Sequence, residues 1–110
     1  MGVSAVREVI VVPFPFSDLS QTKNRPTVCL APVERNEWMV CAVTSTGQGD
    51  PQAVSLLAED FESGSLRHHS FARPLKVFTV HESRIVRKVG KLKIAKFNQI
   101  IERLVDALKS

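Results

Sequence analysis

One stretch of this chain repeats its apolar residues with the period of a helix, and it lies at the C-terminal end. Ile94, Phe97, Ile101, Leu104, Val105 and Leu108 recur at three- and four-residue steps, with Lys96, Gln99, Glu102, Arg103 and Asp106 between them. That spacing gives a helix with a single apolar stripe. The preceding chain must therefore build the surface on which the stripe packs, and its residues favour strands. Val9–Val12 is β-branched throughout and reads as a buried strand. Pro13 and Pro15 end its pairing or push it to a sheet edge. Thr27–Val33 and Trp38–Ser45 follow as strands joined by the polar turn Glu34–Glu37. Ala53–Leu57, Ser70–Val80 and Ile85–Val89 complete the set, and Gly90 marks the turn before the helix. Polar loops occupy Phe16–Asn24, Thr46–Gln52 and Ala58–His69. Short strands closed by one helix predict a mainly β fold with a C-terminal helix, bent into a small barrel. A length of 110 residues suits one domain, 1–110.

Composition narrows the class. With 44% hydrophobic and 24% charged residues, the chain reads as a soluble globular domain. The longest apolar run, Val9–Phe16, is broken by two prolines and is too short to span a bilayer. The first ten residues lack the basic region, long apolar stretch and small-residue cleavage site of a secretory leader. Val6 stands where myristoylation of Gly2 needs Ser or Thr. These readings predict a cytoplasmic protein with no membrane partner. Cys29 and Cys41 each lie in an apolar, strand-like stretch and are expected as buried reduced thiols rather than as a disulfide or a reactive pair. His68, His69 and His81 are not spaced with the cysteines like a zinc site, and no metal or cofactor is expected.

Charge is distributed unevenly. The net charge is +4, and from Arg67 to Lys96 the basic residues face Glu82 as the one carboxylate. The acidic residues gather in 34–62 and 102–106. A one-sided basic stretch favours a polyanionic partner.

Three stretches together resemble the PemK/MazF family of toxins from type II toxin–antitoxin pairs. The first is VVPFPFSDLSQTKNRPTVCL at 11–30, a strand, a loop and an Arg-Pro pair opening the next strand. The second is CAVTS at 41–45, a strand ending in Thr-Ser. The third is SFARPLKVFTV at 70–80 followed by RIVRKVGKL at 84–92, leading into the terminal helix. The resemblance implies an SH3-like barrel, a homodimer, an antitoxin partner and sequence-selective, metal-independent cleavage of single-stranded RNA. The 2′-hydroxyl would attack the neighbouring phosphate, leaving 2′,3′-cyclic phosphate and 5′-hydroxyl ends.

Such cleavage needs a group to take the 2′-hydroxyl proton, one to protonate the leaving oxygen, and donors for the charge growing on phosphorus. By the resemblance, Arg25 and Thr44 are the catalytic candidates. A guanidinium, always charged and able to bind phosphate through two donors, suits charge stabilisation. The Thr44 hydroxyl could bond a phosphate oxygen, and Ser45 could support it. Arg73 is a candidate second cation. One branch of the family carries an acidic residue two positions after this arginine, where this chain has Leu75. Another has a glutamate in the first loop, where Ser20, Gln21 and Thr22 stand. The general base is thus unassigned, with Asp18, His68 and His69 as substitutes. Phe16, Ser17, Asp18, Gln21 and Lys23 in the first loop, with Lys76, are the candidate RNA contacts. Phe16, at the loop edge, is preferred over Phe14, Trp38 and Phe71 as a stacking group. An acidic, disordered antitoxin segment could fold along the basic groove. The Val9–Val12 strand and the terminal helix could contribute to the homodimer. Two further readings stay open: a non-enzymatic poison that binds DNA gyrase, as the related CcdB toxins do, and a decayed toxin that binds RNA or antitoxin without cutting.

Overall fold

A computed structural model describes residues 6–15, 22–46 and 49–110. Seven strands form one sheet: β1 (Glu8–Pro15), β2 (Thr22–Pro32), β3 (Glu37–Thr44), β4 (Val54–Leu56), β5 (Phe61–Gly64), β6 (Ser70–His81) and β7 (Arg87–Leu92). One helix, α1 (Ile94–Lys109), closes the chain. The strand order is β4-β6-β3-β2-β1-β7-β5, and each pairing is antiparallel. The sheet curls into a half-barrel with α1 packed against it, the mainly β architecture expected from the sequence.

Alternation along the strands sends apolar side chains to both faces of the sheet. Val9, Val28, Cys41, Val43, Ala72 and Leu92 join Leu56, Phe61 and Ile100 in the larger core, which α1 covers through Phe97, Ile101 and Leu104. Ile10, Val12, Cys29, Val40 and Val80 form a second cluster, flanked by Trp38, Phe78 and Ile85. Cys29 and Cys41 therefore sit in different cores, although β2 and β3 are neighbours. Both thiols are free, and burial pushes each up to about 12, the Glu8 carboxylate adding to the effect at Cys29. Neither supplies a thiolate nucleophile at neutral pH.

The strand bounds differ from the sequence reading in instructive ways. β1 continues through Pro13 and Pro15, which pair with Asn24 and Thr22 of β2. The Val11 carbonyl accepts a hydrogen bond from the Val86 N–H on the β7 side. Residues 13 and 15 share its parity, so their backbone nitrogens point away from β2. β7 pairs only with Glu8–Val11, so the prolines sit where no partner asks for an N–H. The Val9–Val12 run is not a dimer surface, because all four residues are buried within this chain. β2 begins at Thr22, inside the stretch read as a loop.

β5 lies in the region read as the loop Ala58–His69; it carries a single buried apolar residue, Phe61, too little for a strand pattern. Gly90 is not a turn residue: it is buried within β7, paired with Gly64 of β5. In α1 the buried residue is Ile100, outside the stripe read from the sequence, whereas Ile94 and Leu108 are 59% and 74% exposed. The Glu34–Glu37 turn is as expected. Glu37 N–H bonds the Glu34 carbonyl, and Asn36, a residue tolerant of left-handed backbone, has φ +63°. No helix is long and apolar enough to cross a membrane among the described residues.

Candidate functional site

The early residues of β2 and the last of β3 share one end of the sheet. Thr27 pairs with Ala42, so each two-residue step toward that end brings Arg25 and Thr44 closer to registry on one face. On the other side of β2, Val12 pairs with Arg25, and Val11 pairs with both Pro26 and Arg87. The start of β7 thus lies one strand beyond β1 from the Arg25-Pro26 pair. The segment after β5 lies over this end of the sheet and completes a cleft of about 690 Å³. Lys23, Asn24, Arg25 and Pro26 line it from β2, Val43, Thr44 and Ser45 from the end of β3, and Arg87, Lys88 and Val89 from β7. Val11, Ser70 and residues 65–68 complete the wall.

The lining is cationic. Lys23, Arg25, Arg67, Arg87 and Lys88 all contribute, and the described lining contains no carboxylate. A concave surface of one charge sign focuses its field on an anion entering it. The buried Glu8 carboxylate bonds Lys88 Nζ at 3.0 Å from β1 and so anchors one wall cation from behind. The Thr44 hydroxyl is held in place: it accepts the Thr46 N–H at 3.2 Å and lies 3.3 Å from the Thr46 hydroxyl. These contacts fix its direction while the residue stays half-buried at the cleft wall.

The structure brings Arg25, Thr44, Ser45 and Lys23 together in this cleft. It places Arg73, Lys76 and His69 outside the lining. Arg73 Nε donates to Asp50 Oδ2 at 2.8 Å, tying the segment after β3 to β6. The β3–β6 register jumps between Cys41–Val77 and Ala42–Arg73, leaving Pro74–Lys76 in a bulge where Leu75 is exposed. A carboxylate at Leu75 would therefore stand outside the cleft lining. His69 Nε2 lies 2.6 Å from Ser55 Oγ, and its ring stacks on Phe71 at 4.7 Å. Phe16, Ser17, Asp18 and Gln21 lie outside the described residues. No group of three or more His, Cys, Asp or Glu suited to a metal ion occurs among the described residues.

No sequence motif marks Arg67, Arg87 or Lys88 as site residues, and His68 enters from the sequence only as a candidate substitute base. The basic run from Arg67 to Lys96 was the signal. Which members converge depends on the β1–β7 pairing, which no local pattern shows.

Hydrogen bonding from Arg73, helped by the Gln52 N–H, holds the Asp50 carboxyl below the usual carboxylate range. A lowered native value means that the contribution to stability is present above the ordinary aspartate value of about 4 and is lost as pH falls through the native one. With Arg73 about one-third exposed, the pair is worth at most about 1 kcal/mol. Asp50→Asn is thus expected to lower the unfolding free energy slightly at pH 7. In urea titrations the gap from the parent should close toward pH 3, and a gap that widened in acid would contradict the assignment.

The half-barrel of seven antiparallel strands thus carries a cationic cleft lined by the Arg25-Pro26 pair within β2 and the Thr44-Ser45 pair at the end of β3. Residues 5–108 match the family model described as PemK-like, MazF-like toxin of type II toxin–antitoxin system. The chain belongs to this family. Solved structures share the fold. A MazE–MazF structure from Deinococcus radiodurans matches with a TM-score of 0.76 and 18% identity, covering 97% of each chain. The Mycobacterium tuberculosis toxin MazF-mt6 gives 0.71 and 18%, covering 94% of this chain and 97% of its own. An endoribonuclease from a mycobacterial species, in complex with its cognate antitoxin, gives 0.76 and 14%, covering 97% and 96%. Comparison with curated protein sequences gives no match.

Proposed function

We propose that this toxin is an endoribonuclease that cleaves single-stranded RNA in the cleft, without a metal ion, through attack by the substrate's 2′-hydroxyl. The observation that carries the reading is the convergence of Arg25 and Thr44 in one cationic cleft whose described lining holds no carboxylate. A phosphodiester seated there meets the Arg25 guanidinium and the oriented Thr44 hydroxyl, while Lys23, Arg67, Arg87 and Lys88 hold flanking phosphates. As the 2′-oxygen adds to phosphorus, negative charge grows on the non-bridging oxygens. Donors already in place stabilise it at little reorganisation cost. The products are a 2′,3′-cyclic phosphate and a 5′-hydroxyl. Ser45, exposed beside Thr44, can reach the same phosphate or a neighbouring sugar.

The partners follow from the same features. An acidic antitoxin segment folding along the cleft would compete with RNA for its cations. The neighbouring structures of a toxin with its antitoxin support this. The exposed Ile94 and Leu108 leave α1 an apolar strip suited to a homodimer. Expression in the cytoplasm, where RNA and antitoxin meet, fits these roles.

The test is incubation of the purified, antitoxin-free protein with a long, unstructured RNA in EDTA. Discrete fragments are expected. Intact RNA, or RNA retarded but uncut, would overturn the reading in favour of a toxin that only binds. Thr44→Ala is expected to slow cleavage by roughly 10- to 100-fold, the worth of one well-placed hydrogen bond to a charged group. Single-turnover rates check this, and a parent-like rate would remove Thr44 from the site.

A further inference from the structure

We propose that His68 is the group that takes the proton from the attacking 2′-hydroxyl, an inference that rests on the ribonuclease reading above. The reaction needs a proton acceptor beside the scissile phosphate, and the described lining of the cleft offers no carboxylate for the task. Its cations are already protonated: an arginine keeps its proton at any physiological pH, and a lysine ammonium has no lone pair to offer. Among the described lining residues, His68 supplies the one imidazole.

Its placement separates it from its neighbour. His69 turns outward to Ser55 Oγ and stacks on Phe71. The His68 ring makes no hydrogen bond to another described residue, while its backbone is pinned: Ser70 Oγ, buried at the start of β6, donates to the His68 carbonyl at 2.9 Å. The side chain therefore stands in the wall of the cleft on a fixed backbone, with its ring nitrogens available to substrate. It also borders a smaller cavity of about 170 Å³ shared with Leu57, Phe61 and His69. The charged and titratable groups of the two linings are Lys23 and Arg25 from β2, Arg87 and Lys88 from β7, and Arg67 and His69 from its own segment.

The step balances. The 2′-O–P bond forms as the 2′-oxygen gives its proton to the His68 ring, and the P–O5′ bond breaks. The departing 5′-oxygen takes a proton from water, and the resulting hydroxide is neutralised by the proton that the imidazolium releases. Nothing is oxidised or reduced, and Arg25 and Thr44 hold the phosphoryl oxygens throughout.

The test measures single-turnover cleavage against pH for the parent and His68→Ala, without and with added imidazole. The parent rate should rise with pH through the histidine range, between about pH 5 and 8. His68→Ala should lose roughly 10²- to 10⁴-fold in rate, lose that limb, and regain part of the rate with free imidazole. A parent that leaves RNA whole overturns the ribonuclease reading itself. A cutting parent whose His68→Ala variant stays within about threefold and keeps the limb overturns only the assignment of His68. Loss of rate with the limb intact and no rescue also overturns it, as does a limb that vanishes in His69→Ala instead.

Discussion

Replacing Arg25 with alanine is expected to reduce RNA cleavage by about 10³-fold or more while leaving the fold intact. The size follows from what the guanidinium does. It is a permanent charge with paired donors, set in β2 opposite Val12 and facing the cleft in which, on the proposed mechanism, phosphate charge grows. A lysine there keeps the charge but loses the planar two-donor geometry, so Arg25→Lys is expected to recover only part of the rate. Stability should hardly change, because Arg25 is only half-buried and belongs to neither core cluster. The melting temperature is expected to stay within about 4 °C of the parent's. Single-turnover cleavage and thermal unfolding measured on the same preparation check both halves. Arg73→Ala supplies the contrast: its guanidinium is engaged with Asp50 outside the cleft lining, and its loss should cost much less cleavage.

The largest effect on stability is expected at a glycine. Gly64 of β5 has φ +68° and pairs with Gly90 of β7. A Cβ on Gly64 would lie 2.1 Å from the Val89 carbonyl oxygen and 2.6 Å from Gly90 Cα. One on Gly90 would lie 2.5 Å from the Ser63 carbonyl oxygen. These neighbours are backbone atoms of paired strands and cannot swing away. Gly64→Ala therefore adds a left-handed alanine, about 1–2 kcal/mol, to a steric clash of about 1–3 kcal/mol. That sum of roughly 2–5 kcal/mol is a large share of the roughly 5–15 kcal/mol that holds a typical domain together. The melting temperature should fall by more than about 10 °C. The damage should reach the cleft, since β7 carries Arg87 and Lys88 and the segment after Gly64 carries Arg67 and His68. Gly49 is the control: its φ is +83°, yet a Cβ there meets nothing within 4 Å. Gly49→Ala should cost only the backbone strain, and equal losses at the two positions would contradict the clash.

That contrast also marks what can be read along a chain. The β-branched run in β1, the Asn36 turn and the helical period of α1 are local patterns, and each became the element it implied. β5 was not legible, because its stability comes from backbone pairing with β7 and from Phe61 alone. Gly90 read as a turn because a sequence does not reveal that another strand's backbone presses on it. In α1 the stripe of six apolar residues omitted Ile100, the one residue of the helix that is fully buried. The residues that meet the core, Phe97, Ile100, Ile101 and Leu104, themselves keep the helical spacing, so the buried line is centred on Ile100, while the ends of the longer sequence stripe, Ile94 and Leu108, face outward.

The site divides in the same way. Arg25, Thr44, Ser45 and Lys23 flank strand ends that the motifs mark, and they meet in the cleft. Arg87 and Lys88 enter through a bulged pairing between β1 and β7, and no spacing in the sequence encodes that approach. Two adjacent histidines are equivalent in a sequence. Only the fold distinguishes His68, in the cleft wall, from His69, held by Ser55 and Phe71.

The most direct measurement uses a short RNA that the protein cuts at one place and the same oligonucleotide with a single 2′-deoxy sugar immediately 5′ of the cut phosphate. Attack by the 2′-hydroxyl requires that the all-RNA strand yield a 2′,3′-cyclic phosphate and a 5′-hydroxyl in EDTA, and that the deoxy strand stay whole at that position. Equal cleavage of the two strands, or 5′-phosphate ends, would show that another nucleophile does the work and that the cleft chemistry described for Arg25, Thr44 and His68 is wrong.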